Sequence, residues 1–354
     1  MAVTSVGGRL TRTCAVLLLL ALSLVVALTG RAYASEGRIA YIADPAVESL
    51  RKPVDLNGNK IATMWSDGTH VHTLVSVDPS QTIVGAPTWS YNGLWIAYTA
   101  NPNENPSSTT PSQIRVVRWD GARDHTIAFH PPWPGWTPTN AKVMAWSPSG
   151  RYLIVAENRA ARTRAHGDRD WLVVIDLRSG VARPFLRAGN PQYRFSSLSF
   201  TPDGRHLAVG EVAWDYADSP ARLQPVLNRL VDVSTARTVF TYPSDVYGID
   251  MAPDGKHLSF LESTLVPYLR RADMNFHGRT TLIKLGAGEV NGDDYLGYTK
   301  WSQDGARVAV TALHVERRNE AYYFVPYVAH VRSNGSGLTT PLTGTGSWAG
   351  AFDW

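Results

Sequence analysis

Four carboxylates recur at one spacing in this sequence. Asp44, Glu157, Glu211 and Glu262 each stand seven residues after a glycine (Gly37, Gly150, Gly204, Gly255), and the same offset from Gly93 and Gly305 falls on Ala100 and Ala312. Acids repeated on equivalent elements could bind a cation, polarise a substrate or, with His314, supply the acid and base of a hydrolase or lyase. The cation for such a ring would be Ca2+, but acids one strand spacing (about 4.8 Å) outside an inner strand stand too far apart to share it. Local pairing with arginine is the plainer expectation. His70 and His72 lie two apart in GTHVHTL, and two ligands are too few for zinc without a third. HExxH and Cys-x-x-Cys motifs are absent, and Gly346-Ser347-Trp348-Ala349-Gly350 has the wrong spacing for a serine nucleophile elbow. No catalytic residue, metal ligand or cofactor is therefore assigned.

Arginine and aromatic residues make a different pattern. Segment 157–170 holds Arg159, Arg162, Arg164 and Arg169. Segment 262–279 holds Arg270 and Arg271 beside Tyr268 and Phe276, and segment 312–324 holds Arg317 and Arg318 beside Tyr322 and Tyr323. Trp133 and Trp136 sit in the proline-rich insert 126–142, with Trp214 and Tyr216 in segment 211–226. Arginine with Trp and Tyr is the composition of interface hot spots, and it also suits sugar stacking or carboxylate and phosphate pairing. Trp133, Trp136, Arg159, Arg162, Arg164, Arg169, Trp214, Tyr216, Arg270, Arg271, Arg317 and Arg318 are the candidate binding residues.

What must position these groups is a repeat. Thr88-Trp89-Ser90 leads through Gly93 to WIAYTA; Ala145-Trp146-Ser147-Pro148-Ser149-Gly150 leads to YLIVAE. Phe200, Met251 and Trp301 head three more copies, with HLAVGE, HLSFLE and RVAVTA following their glycines. The anchors at 89, 146, 200, 251 and 301 are spaced by 57, 54, 51 and 50 residues. Pro-Asp-Gly fixes one φ and frees the next, as a tight turn between antiparallel strands requires. Further alternating runs around Asp-Gly, Ser-Gly and Asn-Gly turns read as hairpins, giving four strands per repeat. Trp354 is an anchor with no strand after it, while Gly37 and RIAYIA are a turn and strand with no anchor before them. Paired in one sheet, they complete a sixth repeat and close a circle. The expected fold is all-β: a six-bladed β-propeller with four antiparallel strands per blade, closed by its N- and C-terminal strands. The acids then end second strands. The segments after the second strands (44–59, 101–113, 157–170, 211–226, 262–279 and 312–324), with the insert, project as long loops from one face. Thr88, Ala145, Ser199, Asp250, Lys300 and Asp353, just before the anchors, fall on inner strands, and an Asp–Lys–Asp cluster there would steady ring closure.

The Trp-Ser-Pro-Asp-Gly pattern with its following strand and Asp-Gly hairpin resembles the WD40-like (PD40) repeats of the TolB family propeller, which also build the propellers of prolyl-oligopeptidase-type peptidases. The resemblance covers residues 36–354. It implies a propeller, here without the α/β domain that precedes it in TolB proteins and without a peptidase domain.

Residues 1–13 carry Arg9 and Arg12, residues 14–28 are uncharged and apolar, and Ala32-Tyr33-Ala34 precedes Ser35. That order predicts a secretory signal over 1–34 and a propeller over 35–354. Fifteen apolar residues fall short of the ~20 of a membrane span, so no span is expected after cleavage. The single Cys14 lies in the signal, so the processed chain would carry no disulfide. Arg9, Arg12 and Arg31 account for three of 34 basic residues and none of 30 acidic ones, so the remainder carries a net charge of +1. A nucleic-acid partner, which needs clustered positive charge, is not expected. A composition of 44% apolar and 18% charged residues excludes disorder. The expectation is a secreted monomer that binds a protein or cell-envelope polymer through its long-loop face. The alternative is a secreted hydrolase or lyase at the channel mouth.

Overall fold

A computed structural model describes residues 37–43, 58–102, 112–130, 141–157, 170–190, 193–213, 224–262, 268–284, 295–318, 321–339 and 352–354. Six antiparallel sheets form a six-bladed β-propeller, and the described residues contain no helix. Blade one comprises, from the axis outward, Phe352–Asp353, Arg38–Ala43, Lys60–Trp65 and His72–Ser76. Blade two comprises Gln81–Trp89, Trp95–Pro102, Gln113–Arg118 and His125–Thr126, and blade three Ala141–Trp146, Tyr152–Glu157, Trp171–Asp176 and Ala182–Arg187. Blade four comprises Tyr193–Phe200, His206–Ala213, Gln224–Asp232 and Thr238–Tyr242, and blade five Val246–Met251, His257–Glu262, Tyr268–Asp273 and Thr280–Lys284. Blade six has Tyr295–Trp301, Arg307–Arg318 and Ala321–Arg332, with its outer edge bridged by Thr339 opposite His330.

Closure follows the strand pairing expected from the sequence. Ala40 faces Asp353 and Tyr41 faces Phe352, antiparallel. Strand alternation buries both faces of each sheet, because every blade is sandwiched between two others. Six apolar clusters result, each drawn from two adjacent blades. Trp89 shares one with Ile42 and Ile61 of blade one. Ile114 and Val155 join blades two and three, and Leu172 and Phe195 join blades three and four. Tyr242 and Met251 join blades four and five, and Leu269 and Trp301 join blades five and six. The sixth sets Phe352 and Trp354 against Ala309 and Val328 of blade six. Six interfaces for six blades leave no open end.

The anchors work at these seams through hydrogen bonds from the blade before. Asp353 Oδ2 accepts from the Trp89 amide at 2.7 Å, Ser199 Oγ from the Met251 amide at 2.9 Å, and Asp250 Oδ2 from the Trp301 amide at 2.8 Å. Trp146 instead donates its indole N–H to the Thr88 carbonyl at 2.9 Å. At the last seam His330 Nε2 lies 2.6 Å from the Ser66 carbonyl and Arg307 donates to Ser66 Oγ at 2.6 Å. Burial pushes the His330 imidazole below its usual range, which favours the neutral ring donating from Nε2.

Two expectations about loops are corrected. Much of segment 262–279 is the third strand of blade five, Tyr268–Asp273, so Arg270 and Arg271 lie in a strand. Segment 312–324 is likewise mostly a hairpin: Arg317 stands opposite Tyr322, Arg318 opposite Ala321, and His314 opposite Val325. A third strand is obligatory in each blade, and these segments supply it. In blade five the arginines that suggest a loop are tolerated because Arg270 pairs with Glu262 and Arg271 donates to the Ser333 carbonyl.

Turn glycines set how closely blades approach. Gly121, in the outer hairpin of blade two, has φ +82°, and a Cβ there would lie 3.1 Å from the Leu74 carbonyl oxygen of blade one. Gly150 has φ +68° with nothing within 4 Å of its Cβ position. Gly150→Ala should cost the left-handed strain alone, roughly 1–2 kcal/mol. Gly121→Ala should cost more, because the blade one–two contact must also open. Urea midpoints of the two variants check this; equal losses would refute the close approach.

Candidate functional site

The disc has two rims. At one, tight turns join inner to second and third to outer strands. At the other, the chain leaves each second strand and each blade. The second-strand carboxylates stand at this second rim, and the structure shows what they do.

Glu211, at 0% exposure, takes the Gly189 amide at 2.7 Å on Oε2 and an ion pair from Arg229 on Oε1. Glu262 pairs with Arg270 at 2.6 Å and with Arg279 at 3.4 Å. Glu157 is buried at the equivalent place. Register explains the recurrence. Arg229 lies opposite Val209 and Arg270 opposite Phe260, each two residues before the glutamate on the same face. Arg115 lies opposite Tyr98 in the same way. In blade two the glutamate position is Ala100, and Arg115 turns outward to Asp124 at 2.8 Å and the Tyr98 hydroxyl at 2.9 Å. The expected arginine pairing therefore holds for Glu211 and Glu262, though Arg229 and Arg270 come from third strands. Asp44 lies outside the described residues.

Of the candidate binding residues, Arg270 and Arg271 are described in full. The Arg270 guanidinium lies 4.9 Å over the Tyr268 ring, and Arg271 donates to the Ser333 carbonyl at 3.0 Å. The backbones of Arg317 and Arg318 belong to the blade-six hairpin. Trp133, Trp136, Arg159, Arg162, Arg164, Arg169, Trp214 and Tyr216 lie outside the described residues. Among the described residues, no three His, Cys, Asp or Glu side chains converge as a metal site. No helix among them is long and apolar enough to cross a membrane.

Sequence reasoning missed a charged cluster where blades three and four meet at this rim. Asp170, just before the third strand of blade three, lies 3.6 Å from Arg194 at the start of blade four, both nearly fully buried. Burial pushes the Asp170 carboxyl up to about 6, against the lowering pull of Arg194 and Lys142, with Glu157 adding a small further rise. Burial pushes Lys142 down while Asp170 pulls it back. The cluster is assembled from two blades, so no spacing announces it.

At the opposite rim, the inner strands enclose a cavity of about 430 Å³. Lys300 lies 3.3 Å from Asp250 and 3.6 Å from Asp353. Burial alone would lower the ammonium's pKa, but the two carboxylates overcome it and hold Lys300 above the usual lysine range. The expected Asp–Lys–Asp cluster exists, and its acids also receive the seam amides of Trp301 and Trp89.

The solved structures with this architecture include TolB from Acinetobacter baumannii, with a TM-score of 0.56 and 17% identity over 90% of this chain and 66% of that one. The chain thus spans just under two thirds of that TolB chain. An oligogalacturonate lyase in complex with manganese has a TM-score of 0.46 at 10% identity, covering 79% of this chain and 69% of that one. The periplasmic gluconolactonase of Pseudomonas aeruginosa has a TM-score of 0.45 at 12% identity, covering 87% and 93%. No protein-family model and no curated protein matches the sequence. At such identities the TolB likeness is one of fold: this is a TolB-like β-propeller.

Two outcomes follow from the buried charges. Glu211→Gln should destabilise by about 3–5 kcal/mol, since Arg229 stays buried without its counter-charge. Adding Arg229→Met should restore much of the loss, and a double-mutant cycle of denaturation energies measures it. Asp170 should titrate near pH 6 by carboxyl carbon NMR. Its folded pKa is raised above 3.8, so its stabilising contribution is complete below that pH and is lost as pH rises through about 6. A titration midpoint near 4 would contradict this.

Proposed function

We propose that this chain is a secreted, non-catalytic binding propeller that engages a protein or cell-envelope polymer through the rim carrying its long connections. Residues 1–34 act as its secretory signal, and residues 35–354, built from PD40-type repeats, act as a monomer. The observation that carries the reading is the fate of the rim carboxylates. Glu211 and Glu262 are consumed by Arg229, Arg270 and Arg279, so they brace the scaffold. Recognition falls to the connections leaving the same rim, whose arginines and tryptophans have hot-spot composition. TolB from Acinetobacter baumannii shares the propeller architecture on which this reading builds.

The test is co-purification of the full chain with envelope fractions. Alanine at Trp133 and Trp136, and separately at Arg159, Arg162, Arg164 and Arg169, should each weaken capture of the recovered partner by roughly 30-fold, the scale of a hot spot. Unchanged capture, or turnover of a substrate by the purified chain, overturns the reading. One observation favours the hydrolase or lyase alternative. Burial pushes the Asp170 carboxyl up to about 6 and the neighbouring Lys142 ammonium down, and such a pair can serve as acid and base. Turnover lost in Asp170→Asn would establish it.

A further inference from the structure

The cavity at the turn rim is divided by charge. Blades five, six and one contribute Asp250, Lys300 and Asp353 to its wall, consecutively around the axis. The opposite half is apolar: Met144 and Trp146 from blade three, Leu198 and Phe200 from blade four. Lys300 is the sole cation among the described lining residues, and it faces Asp250 and Asp353. One ammonium shared by two carboxylates leaves negative charge uncompensated. The same imbalance acts on Asp353 itself: burial raises its pKa and Asp250 adds to the rise, against Lys300 and the Trp89 amide.

We propose that this end of the channel binds a small organic cation, an ammonium carried on an apolar stem. The head joins the Asp250–Lys300–Asp353 array as a second positive charge, and the stem lies against the Met144–Phe200 wall. A volume of about 430 Å³ falls within the range of small-molecule sites. An anion would meet the carboxylates, because Lys300 is already engaged by both of them. A bare divalent metal would leave the apolar half unused and would compete with seam amides for carboxylate oxygen. This site lies on the rim opposite the binding connections, so it stands or falls independently of the function proposed above.

The experiment titrates the full chain with phenethylammonium chloride at low salt and follows tryptophan fluorescence, with 2-phenylethanol, phenylacetate and CaCl2 as parallel probes. Phenethylammonium should saturate at millimolar or lower concentration, roughly tenfold tighter than the neutral alcohol, with phenylacetate weakest. Asp353→Asn should abolish the preference, but it also touches a seam bond. The decisive variants are therefore at Gln303, which lines the rim without serving a seam. Gln303→Lys should weaken phenethylammonium several-fold, and Gln303→Glu should tighten it by a similar factor. The proposal is overturned by equal binding of phenylacetate, by no saturation with phenethylammonium up to ~10 mM, or by indifference to both Gln303 variants. Preferential binding of Ca2+ overturns it in favour of a metal site.

Discussion

The whole molecule depends on the pairing of Phe352–Asp353 with the second strand of blade one. Two register pairs join them, yet the consequence is global. Without that pairing the apolar face shared by Phe352, Trp354, Ala309 and Val328 would open to water. With it, each blade's two faces are covered and the charged groups at both rims are held at fixed distances. Apolar burial supplies the drive, while the seam hydrogen bonds fix the angle at which each blade meets the next. The residue before an anchor carries this second task, which is why Ser199, Asp250 and Asp353 can be polar at nearly buried places.

Two rims with different chemistry follow from one topology. Strands that run down through a tight turn and return must leave every second strand on the same side. Tight turns spend their polar side chains on local backbone amides: Asp203 on Arg205, Asp254 on Lys256, Asp304 on Ala306. The other rim spends Glu211 and Glu262 on arginines two register steps away. Within the ring, the charged half of the turn-rim cavity comes from blades five, six and one, and the apolar half from blades three and four. Closure and cavity polarity therefore share the Asp353 carboxylate.

The fold was legible because its signals are local. An anchor, a turn glycine and an alternating strand recur with little variation, and the incomplete ends say how they join. The acids at the end of second strands were legible for the same reason. The third strands of blades five and six were not: Arg-Arg within 268–273 reads as loop until Glu262 and the Ser333 carbonyl are seen to receive those side chains. The Lys142–Asp170–Arg194 cluster escaped notice because its members belong to different blades, and burial, absent from any motif, is what shifts Asp170. The seam bonds lay between these cases. The positions before the anchors stood out, but the amide that each acid receives belongs to the next repeat.

Closure also sets an order of events during synthesis. Arg38–Ala43 leaves the ribosome some three hundred residues before its neighbour Phe352–Asp353. Throughout elongation blade one offers an unsatisfied, mostly apolar backbone edge, the sort of surface that recruits foreign strands. Residues 352–354 therefore act as a latch, and until they have been made the chain carries a sticky flank, a natural target for chaperones and proteases.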